Sequence, residues 1–206
     1  MEITLTQATP ADLPAVGGLY AAVCDGLADK PYNPGWRRGM FPTEENARLY
    51  QQTGVLLLAH AGGRLAGSLG LTDNPSAEAE DAEEAAPAET AENHAPPPAA
   101  AETGAGQPSE SAQATAPAPG PVWYVHVVAV HPAFARQGVA GRLLAQAETL
   151  ARQAGAAALR LFVWENNTPA IAAYEKNGFT PLQTGVDIGL APYGLERFTL
   201  YQKLLP

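Results

Sequence analysis

A run of 50 residues, 72–121, contains no Val, Ile, Leu, Met, Phe, Tyr or Trp. Sixteen of its residues are Ala, nine are Pro and eight are Glu. Such a segment buries too little apolar surface to offset the conformational entropy that ordering it would cost. The sequence therefore predicts a disordered segment. A tolerated surface insertion is the favoured interpretation over a partner-binding tail, because loops lengthen at small thermodynamic cost.

The 156 residues outside this segment are an ordinary length for one hydrophobic core. We therefore predict a single domain, residues 1–206, interrupted by residues 72–121. Ten of the 21 acidic residues lie within the segment and none of the 12 basic residues does, so the remainder carries 11 acids against 12 bases. Because this balance leaves no basic footprint, we expect no nucleic-acid partner.

Export signals and metal-binding patterns are both missing from the sequence. No cationic stretch precedes an apolar run at residues 1–7, and no long uncharged apolar stretch occurs. We therefore expect no signal peptide, no membrane contact and a cytoplasmic location. The single Cys24 permits no internal disulfide, and the four His residues lack metal-ligand spacing, so we expect no metal site.

Hydrophobic periodicity switches between the helical and the strand pattern along the rest of the chain. The predicted order is strand, two helices, three strands, helix, strand, helix and two strands. The strands are predicted at residues 2–6, 55–61, 65–71, 122–131, 158–163, 179–183 and 198–204, and the helices at 13–27, from 43, at 138–154 and at 168–177. This order predicts a mixed α/β (α+β) domain, with about four helices covering the faces of a sheet of about seven strands.

Residues 128–144 carry the most informative local pattern in the chain. A predicted strand is followed by a short loop and by a helix whose opening contains Gly138, Ala140 and Gly141. Small residues leave the first amides of that helix uncovered, and orphan N–H groups together with the helix dipole favour an anion such as a pyrophosphate. Arg136 adds positive charge beside them. Ordinary close packing of the helix is the alternative explanation of these glycines.

A second pattern, residues 166–179, follows the next predicted strand. It places small residues at Ala170 and Ala173 and a phenol at Tyr174. Small side chains let a ligand approach the helix. The alternative is that Tyr174, three positions after Ile171, is a core aromatic with its hydroxyl at the rim.

Taken together and in this order, the two patterns resemble those of the GNAT superfamily of N-acetyltransferases. Residues 128–144 resemble its acetyl-CoA pyrophosphate motif, and residues 167–179 resemble the following Asn-x-x-Ala-x-x-x-Tyr-x-x-x-Gly-Phe motif. The resemblance is strong over about residues 122–179 and looser over 31–71, and residues 72–121 have no counterpart. It implies a mostly antiparallel sheet that splays between its fourth and fifth strands, with acetyl-CoA as co-substrate in the gap.

The same resemblance assigns residues to the cofactor arm. The backbone of Val128 and Val130 would pair with the pantetheine arm as an added strand does. Asn167 would reach this arm, and Tyr174 would stand near the sulfur.

The pyrophosphate would bind the amides of Arg136, Gln137, Gly138, Val139, Ala140 and Gly141. Family members commonly place Gln or Arg three residues before the central glycine, where this chain has Ala135. Either Arg136 and Gln137 take over that contact or the backbone amides suffice.

The implied reaction is direct attack of a primary amine on the thioester in a ternary complex. An alkyl amine with a pKa of about 10.4 is mostly protonated at neutral pH, so a base is wanted. His126 lies two residues before Val128, and strand alternation predicts both side chains on one face. A histidine suits general-base catalysis, and aralkylamine-type acetyltransferases also have His at this strand position, but a half-buried, hydrogen-bonded strand histidine is the alternative.

Two further residues enter this mechanism. Tyr174 is the predicted acid that protonates the CoA thiolate, and a strand N–H near Val128 would stabilise the developing oxyanion. Glu165, at the end of its strand, is a reserve base, or simply a solvated carboxylate.

The acceptor is expected to be a small-molecule amine. Residues 31–43 and 189–198 would shape its site, with Tyr32, Trp36 and Tyr193 as aromatics and Glu196 as a partner for a cationic amine. A peptide or protein acceptor, or a non-catalytic acetyl-CoA-binding module, are the alternatives. The sequence leaves monomer and homodimer open.

Overall fold

The computed structural model describes residues 2–73, 120–190 and 195–206. Within these residues, seven strands form one sheet in the order β1-β2-β3-β4-β5-β7-β6. The strands are β1 Ile3–Gln7, β2 Val55–Ala61, β3 Arg64–Thr72, β4 Val122–Val130, β5 Ala158–Trp164, β6 Thr180–Val186 and β7 Phe198–Leu204, and the α-helices are α1 Leu13–Leu27, α2 Glu44–Thr53, α3 Val139–Gln153 and α4 Thr168–Lys176. All neighbouring strands are antiparallel except β4 and β5, which are parallel. The predicted fold class is confirmed.

The first two helices begin at polar caps, each formed by residues three positions apart in the sequence. The Asp12 carboxylate accepts a hydrogen bond from the Thr9 N–H at 2.8 Å, in the short turn that leads into α1. The same bond holds the pKa of Asp12 below its ordinary value. At α2, the Asn46 side chain accepts a hydrogen bond from the Thr43 N–H at 2.7 Å. These bonds satisfy donors that a helix start otherwise leaves without partners.

The sheet buries a hydrophobic core on each of its faces. The apolar side of α1 packs with α2 on one face of the sheet, where Leu13, Val16, Tyr20 and Tyr50 are buried. Helix α3 covers the other face. A Cβ added to Gly67 of β3 would lie 2.8 Å from Val139 Cγ1, so the first turn of α3 contacts the backbone of the sheet. This close packing positions the start of α3 beside the end of β4.

The connection between β3 and β4 runs through the long Ala- and Pro-rich segment. Residues 74–119, to which the prediction of disorder applies, lie outside the described residues. The predicted start of the segment at Thr72 is wrong. Thr72 is buried, pairs with Tyr124 as the last residue of β3, and its hydroxyl oxygen lies 2.9 Å from His126 Nε2. A polar residue is kept in the strand because its hydroxyl has a buried partner.

Candidate active site

A gap opens in the sheet between β4 and β5. The two strands pair only from Val122 to Tyr124 on β4 and from Ala158 to Arg160 on β5. Beyond this point they diverge, whereas β5 stays paired with β7 as far as Trp164. The predicted splay between the fourth and fifth strands is therefore confirmed.

A β-bulge at Val127 lies where the gap begins. Val127 has a φ of 41°, and the register between β3 and β4 shifts so that Val127 and Val128 both lie opposite Leu69. Positive φ is strained for a β-branched residue, and such strain is often found at functional sites. Val127 packs into the core under α1 and α2, whereas Val128 packs against the opposite core.

The bulge changes the position of His126. Its ring stacks on Tyr50 of α2, with centroids 5.2 Å apart and planes at 11°, and the residue is 2% exposed. The prediction that His126 and Val128 share a face is wrong, because the extra residue of a bulge interrupts the alternation of a strand. His126 does not line the cavity described next, so its catalytic role stays a prediction without direct geometric support.

The gap widens into a cavity of about 850 Å³. Its walls come from β4, β5, the start of α3, helix α4 and residues 32–41, and from Ile188, Leu190, Leu195 and Phe198. Most of the predicted cofactor residues line it: Val128, Val130, Arg136, Gly138, Val139, Ala140, Gly141, Asn167 and Tyr174. Gln137, which was also predicted to bind the cofactor, and Glu165, the reserve base, do not line the cavity.

One end of the cavity, the diphosphate end, is formed by Arg136 and residues 138–141. Gly138 is the N-cap of α3 with a φ of 83°, and Arg136 has a φ of 62°. The N–H of Arg142 donates to the Gly138 carbonyl at 3.1 Å, which closes the first turn of α3. The Gln137 N–H donates to the Phe134 carbonyl at 3.4 Å, so this amide, predicted to bind the pyrophosphate, is already engaged. The amides of residues 138–141 begin the helix and have no helical carbonyl to bind. They form an anion cradle whose electrostatics the helix dipole reinforces.

Arg136 and Gln137 separate in the structure. Arg136 lines the cavity beside the cradle, whereas the Gln137 side chain donates a hydrogen bond to the Ala133 carbonyl at 3.0 Å. Ala135 cannot make the phosphate contact that Gln or Arg makes at this position in family members. Of the two side chains that could replace that contact, only Arg136 is within reach of an anion in the cavity.

The edge of β4 that faces the gap presents backbone groups at regular intervals. The His131 N–H donates to the Ala66 carbonyl of β3 at 2.9 Å. Because successive residues of a strand direct their N–H groups to opposite sides, those of Val130 and Val128 are directed toward the gap. No described strand pairs with β4 there, so an extended ligand can add as a strand does.

Helix α4 brings Asn167 and Tyr174 to the opposite wall. Asn167 is the N-cap, and its side chain accepts a hydrogen bond from the Ala170 N–H at 3.4 Å. The half-buried ring of Tyr174 packs edge-to-face on Phe179, with centroids 6.0 Å apart. Tyr174 thus packs against the core and also lines the cavity. The core aromatic and the ligand-facing phenol that its position in the sequence suggested are therefore compatible.

Glu165 is partly exposed, with 29% of its side chain accessible, and it does not line the cavity. Its carboxylate lies 3.3 Å from Arg197 Nε and accepts a hydrogen bond from the Gly185 N–H at 3.2 Å. It therefore ties the end of β5 to the end of β6 and to the residue that precedes β7.

The other end of the cavity, the acceptor end, is apolar and aromatic. Its walls include Tyr32, Trp36, Met40, Phe41, Leu195 and Phe198. Trp36 and Phe41 pack edge-to-face, with centroids 6.2 Å apart. Glu196 does not line the cavity, and Tyr193 lies outside the described residues.

The charged side chains of the cavity wall are all basic in the part of the chain that the structure describes. They are Arg37, Arg136 and Lys176, and no Asp, Glu or His joins them. Sequence analysis did not identify Arg37 as a site residue, because an exposed arginine in a Gly- and Pro-rich segment has no local pattern that distinguishes it.

Cys24 is an unsuitable nucleophile. It is buried in α1 outside the cavity wall, its Sγ lies 3.7 Å from the Phe41 carbonyl oxygen, and burial raises the pKa of its thiol. Only the thiolate is strongly nucleophilic, so a raised pKa disfavours an acyl-cysteine intermediate.

The described part of the chain offers neither a metal site nor a membrane-spanning helix. Among residues 2–73, 120–190 and 195–206, no three His, Cys, Asp or Glu side chains group as metal ligands. None of the helices in these ranges combines the length and the apolar composition that a membrane crossing requires.

Comparison with known proteins links this geometry to a family. The model of the acetyltransferase (GNAT) family matches residues 23–179. No curated protein matches the chain.

Solved structures share the fold at low sequence identity. The ribosomal-protein-S18-alanine N-acetyltransferase of Escherichia coli is 16% identical, with a TM-score of 0.61 and coverage of 99% of this chain and 94% of the other. An N-acetyltransferase from Staphylococcus aureus is 12% identical, with a TM-score of 0.62 and full coverage of both chains. The protein yncA of Salmonella typhimurium, solved with its cofactor acetyl-CoA, is 17% identical, with a TM-score of 0.58 and coverage of 100% and 95%.

Proposed function

The chain belongs to the GNAT family of acetyltransferases, and on this premise we propose that it transfers the acetyl group of acetyl-CoA to a primary amine of a small molecule. The proposal is supported mainly by one observation. A single cavity, which runs through the gap between β4 and β5, contains both the anion cradle and the apolar chamber. Acetyl-CoA has a matching order of parts, with a diphosphate, an extended amide-bearing arm and a thioester.

The residues of the gap fit this co-substrate. The amides of residues 138–141 and the guanidinium of Arg136 supply donors for the diphosphate. The N–H groups of Val128 and Val130 supply donors for the amides of the arm, and Asn167 lines the wall across from them. Bulky side chains would block the cradle, but Gly138, Ala140 and Gly141 leave it open.

The acceptor amine reaches the thioester in its neutral form in this proposal, because no described Asp, Glu or His lines the wall to take its proton. The nitrogen attacks the carbonyl carbon, the C–N bond forms and the C–S bond breaks. The sulfur takes a proton from the Tyr174 hydroxyl, and the proton lost by the nitrogen returns to Tyr174 through water. In this proposal, a backbone N–H near Val128 stabilises the oxyanion of the intermediate. Direct attack needs no enzyme nucleophile, in agreement with the buried Cys24.

Thiol release from acetyl-CoA tests the proposal. The enzyme is assayed against primary amines, peptides with free N-termini and lysine-containing proteins. We expect turnover with small amines. Turnover with peptides alone would favour the peptide or protein acceptor. Calorimetric binding of acetyl-CoA without turnover by any amine would favour a binding module and overturn the enzymatic proposal.

A further inference from the structure

The acceptor end of the cavity has a composition that restricts its ligand. Building on the proposed function, we propose that the acceptor is an apolar amine that carries a carboxylate, the class to which hydrophobic α-amino acids belong. The structure assigns Arg37 as the residue that binds this carboxylate.

The walls at this end favour an apolar body. Residues 32–41 meet Leu195 there, since a Cβ added to Gly35 would lie 2.8 Å from Leu195 Cδ1. The chamber beside this contact is lined by Tyr32, Trp36, Met40, Phe41 and Phe198. Aromatic and thioether side chains bind apolar groups through the area they bury and through stacking.

The three basic residues of the wall lie at different places. Arg136 belongs to the anion cradle. Lys176 precedes Asn177, whose Oδ1 is 3.4 Å from the position of a Cβ on Gly141, so Lys176 is also near the start of α3. Arg37 lies instead in the aromatic segment, between Trp36 and Phe41.

The backbone holds Arg37 in place at the acceptor end. Its N–H donates to the Phe41 carbonyl at 2.9 Å, and the Phe41 N–H donates to the Arg37 carbonyl at 3.1 Å. Phe41 in turn packs on Trp36. The position of the arginine is therefore coupled to the aromatic wall.

The neighbouring arginine is engaged elsewhere. Arg38 pairs with Asp25 at 3.1 Å and does not line the cavity, whereas Arg37 lines the cavity and has no ion pair with a described residue. A guanidinium binds a carboxylate through two parallel hydrogen bonds. A polycationic acceptor would meet only positive charge in the described wall. An amino acid presents the opposite charge to Arg37 and its apolar side chain to the aromatic residues.

Matched acceptors test the class of ligand on the unmodified enzyme. Thiol release is measured with L-phenylalanine, with phenethylamine, which lacks the carboxylate, with L-phenylalaninamide, which replaces it by a neutral amide, and with spermidine. We expect the highest kcat/KM for phenylalanine and the lowest for spermidine. The amide group lowers the pKa of the amine, so phenylalaninamide has more free base at neutral pH. A preference for phenylalanine over phenylalaninamide therefore cannot come from amine protonation.

Two arginine variants locate the effect. Arg37→Gln should raise the KM for phenylalanine about fivefold, the size expected for a solvent-accessible ion pair, and leave the KM for phenethylamine unchanged. Arg38→Gln is the matched control and should change neither KM. The Kd of acetyl-CoA should be the same in both variants and in the parent enzyme.

The outcomes separate the two proposals. If phenethylamine equals or exceeds phenylalanine, the carboxylate proposal is overturned while the acetyltransferase function stands. A higher Kd for acetyl-CoA in Arg37→Gln, with the KM for phenylalanine unchanged, would assign the arginine to the co-substrate and also overturn it. If no amine in any assay releases thiol, the proposed function itself fails.

Discussion

The two ends of the cavity between β4 and β5 differ in what they are made of. The diphosphate end is built mainly from the backbone of one short stretch, residues 138–141, at the start of α3. The acceptor end is built from side chains that are distant in the sequence, those of residues 32–41 and of Leu195 and Phe198. Backbone amides offer the same N–H donors in any sequence whose side chains are small enough to leave them uncovered. A wall made of side chains, in contrast, changes its shape and chemistry with each substitution. A fold of this kind can therefore keep one co-substrate site while its acceptor site varies.

The largest expected effect is at Tyr174, where the two ends meet. Tyr174→Phe keeps the ring that packs on Phe179 and removes the proposed acid, so we expect kcat to fall about a hundredfold with the Kd of acetyl-CoA unchanged. Steady-state kinetics and calorimetry measure the two quantities.

A second tyrosine provides the control for this variant. The Tyr201 hydroxyl donates to Glu175 at 3.1 Å outside the cavity wall, and burial, followed by Glu175, raises its pKa to about 12. Tyr201→Phe should leave kcat unchanged. Equal kcat values for Tyr174→Phe and the parent enzyme would remove Tyr174 from the mechanism.

A smaller effect is expected from closing the anion cradle. Gly138→Ala places a Cβ at a left-handed position, in the open space at the start of α3 where the diphosphate is proposed to bind, so the Kd of acetyl-CoA should rise about tenfold. Gly155→Ala is the matched control, because Gly155 has a φ of 77° and, like Gly138, open space where the Cβ would be. Both variants should lose about 1 kcal/mol of unfolding free energy. If both bind acetyl-CoA equally well, the cradle is misassigned.

The pH dependence of turnover tests the role of His126. The structure keeps this side chain out of the cavity, so we expect kcat/KM to rise with pH toward the pKa of the acceptor amine, without a separate step in the range of a histidine. His126→Gln should preserve the shape of this profile while lowering the melting temperature, because the stacking on Tyr50 is lost. Loss of a histidine-like step in the variant would restore His126 as the base.

The smallest effect is expected at Glu148, which lies outside both ends of the cavity. Lys203 at 2.6 Å, and next Arg152, hold the pKa of Glu148 below its ordinary value of 4.5. The folded protein therefore binds protons less readily than the unfolded chain, so the stabilisation is complete above pH 4.5 and is lost as the pH falls through the folded-state pKa.

Denaturant unfolding of Glu148→Gln measures this contribution. At pH 7 the variant should be less stable than the parent by about 1 kcal/mol, and the difference should shrink on acidification below pH 4.5. Glu45→Gln is the control, because Glu45 is 70% exposed in its pair with Arg48 and should give almost no difference at either pH. A difference for Glu148→Gln that does not depend on pH would contradict the electrostatic origin.

Elements with a local physical cause were predictable from the sequence. The caps at Thr9 and Thr43, the turn at Gly62 and Gly63, and the helix start at Gly138 each depend on residues within a few positions of one another. The order of strands and helices follows from the hydrophobic periodicity of the sequence, and the fold class predicted from that order is confirmed. Thr72 was misjudged because its burial depends on His126, 54 positions away.

The sequence alone determined that a glycine-rich helix start follows a strand and that an Asn- and Tyr-bearing helix follows the next one, because strand period, helix caps and backbone freedom are short-range properties. Only the tertiary structure decided which side chains reach the cavity. The bulge at Val127 turned His126 toward α2, and the meeting of two distant segments brought Arg37 to the acceptor end. Both outcomes depend on strand register and long-range packing, and no local pattern of residue types encodes either one.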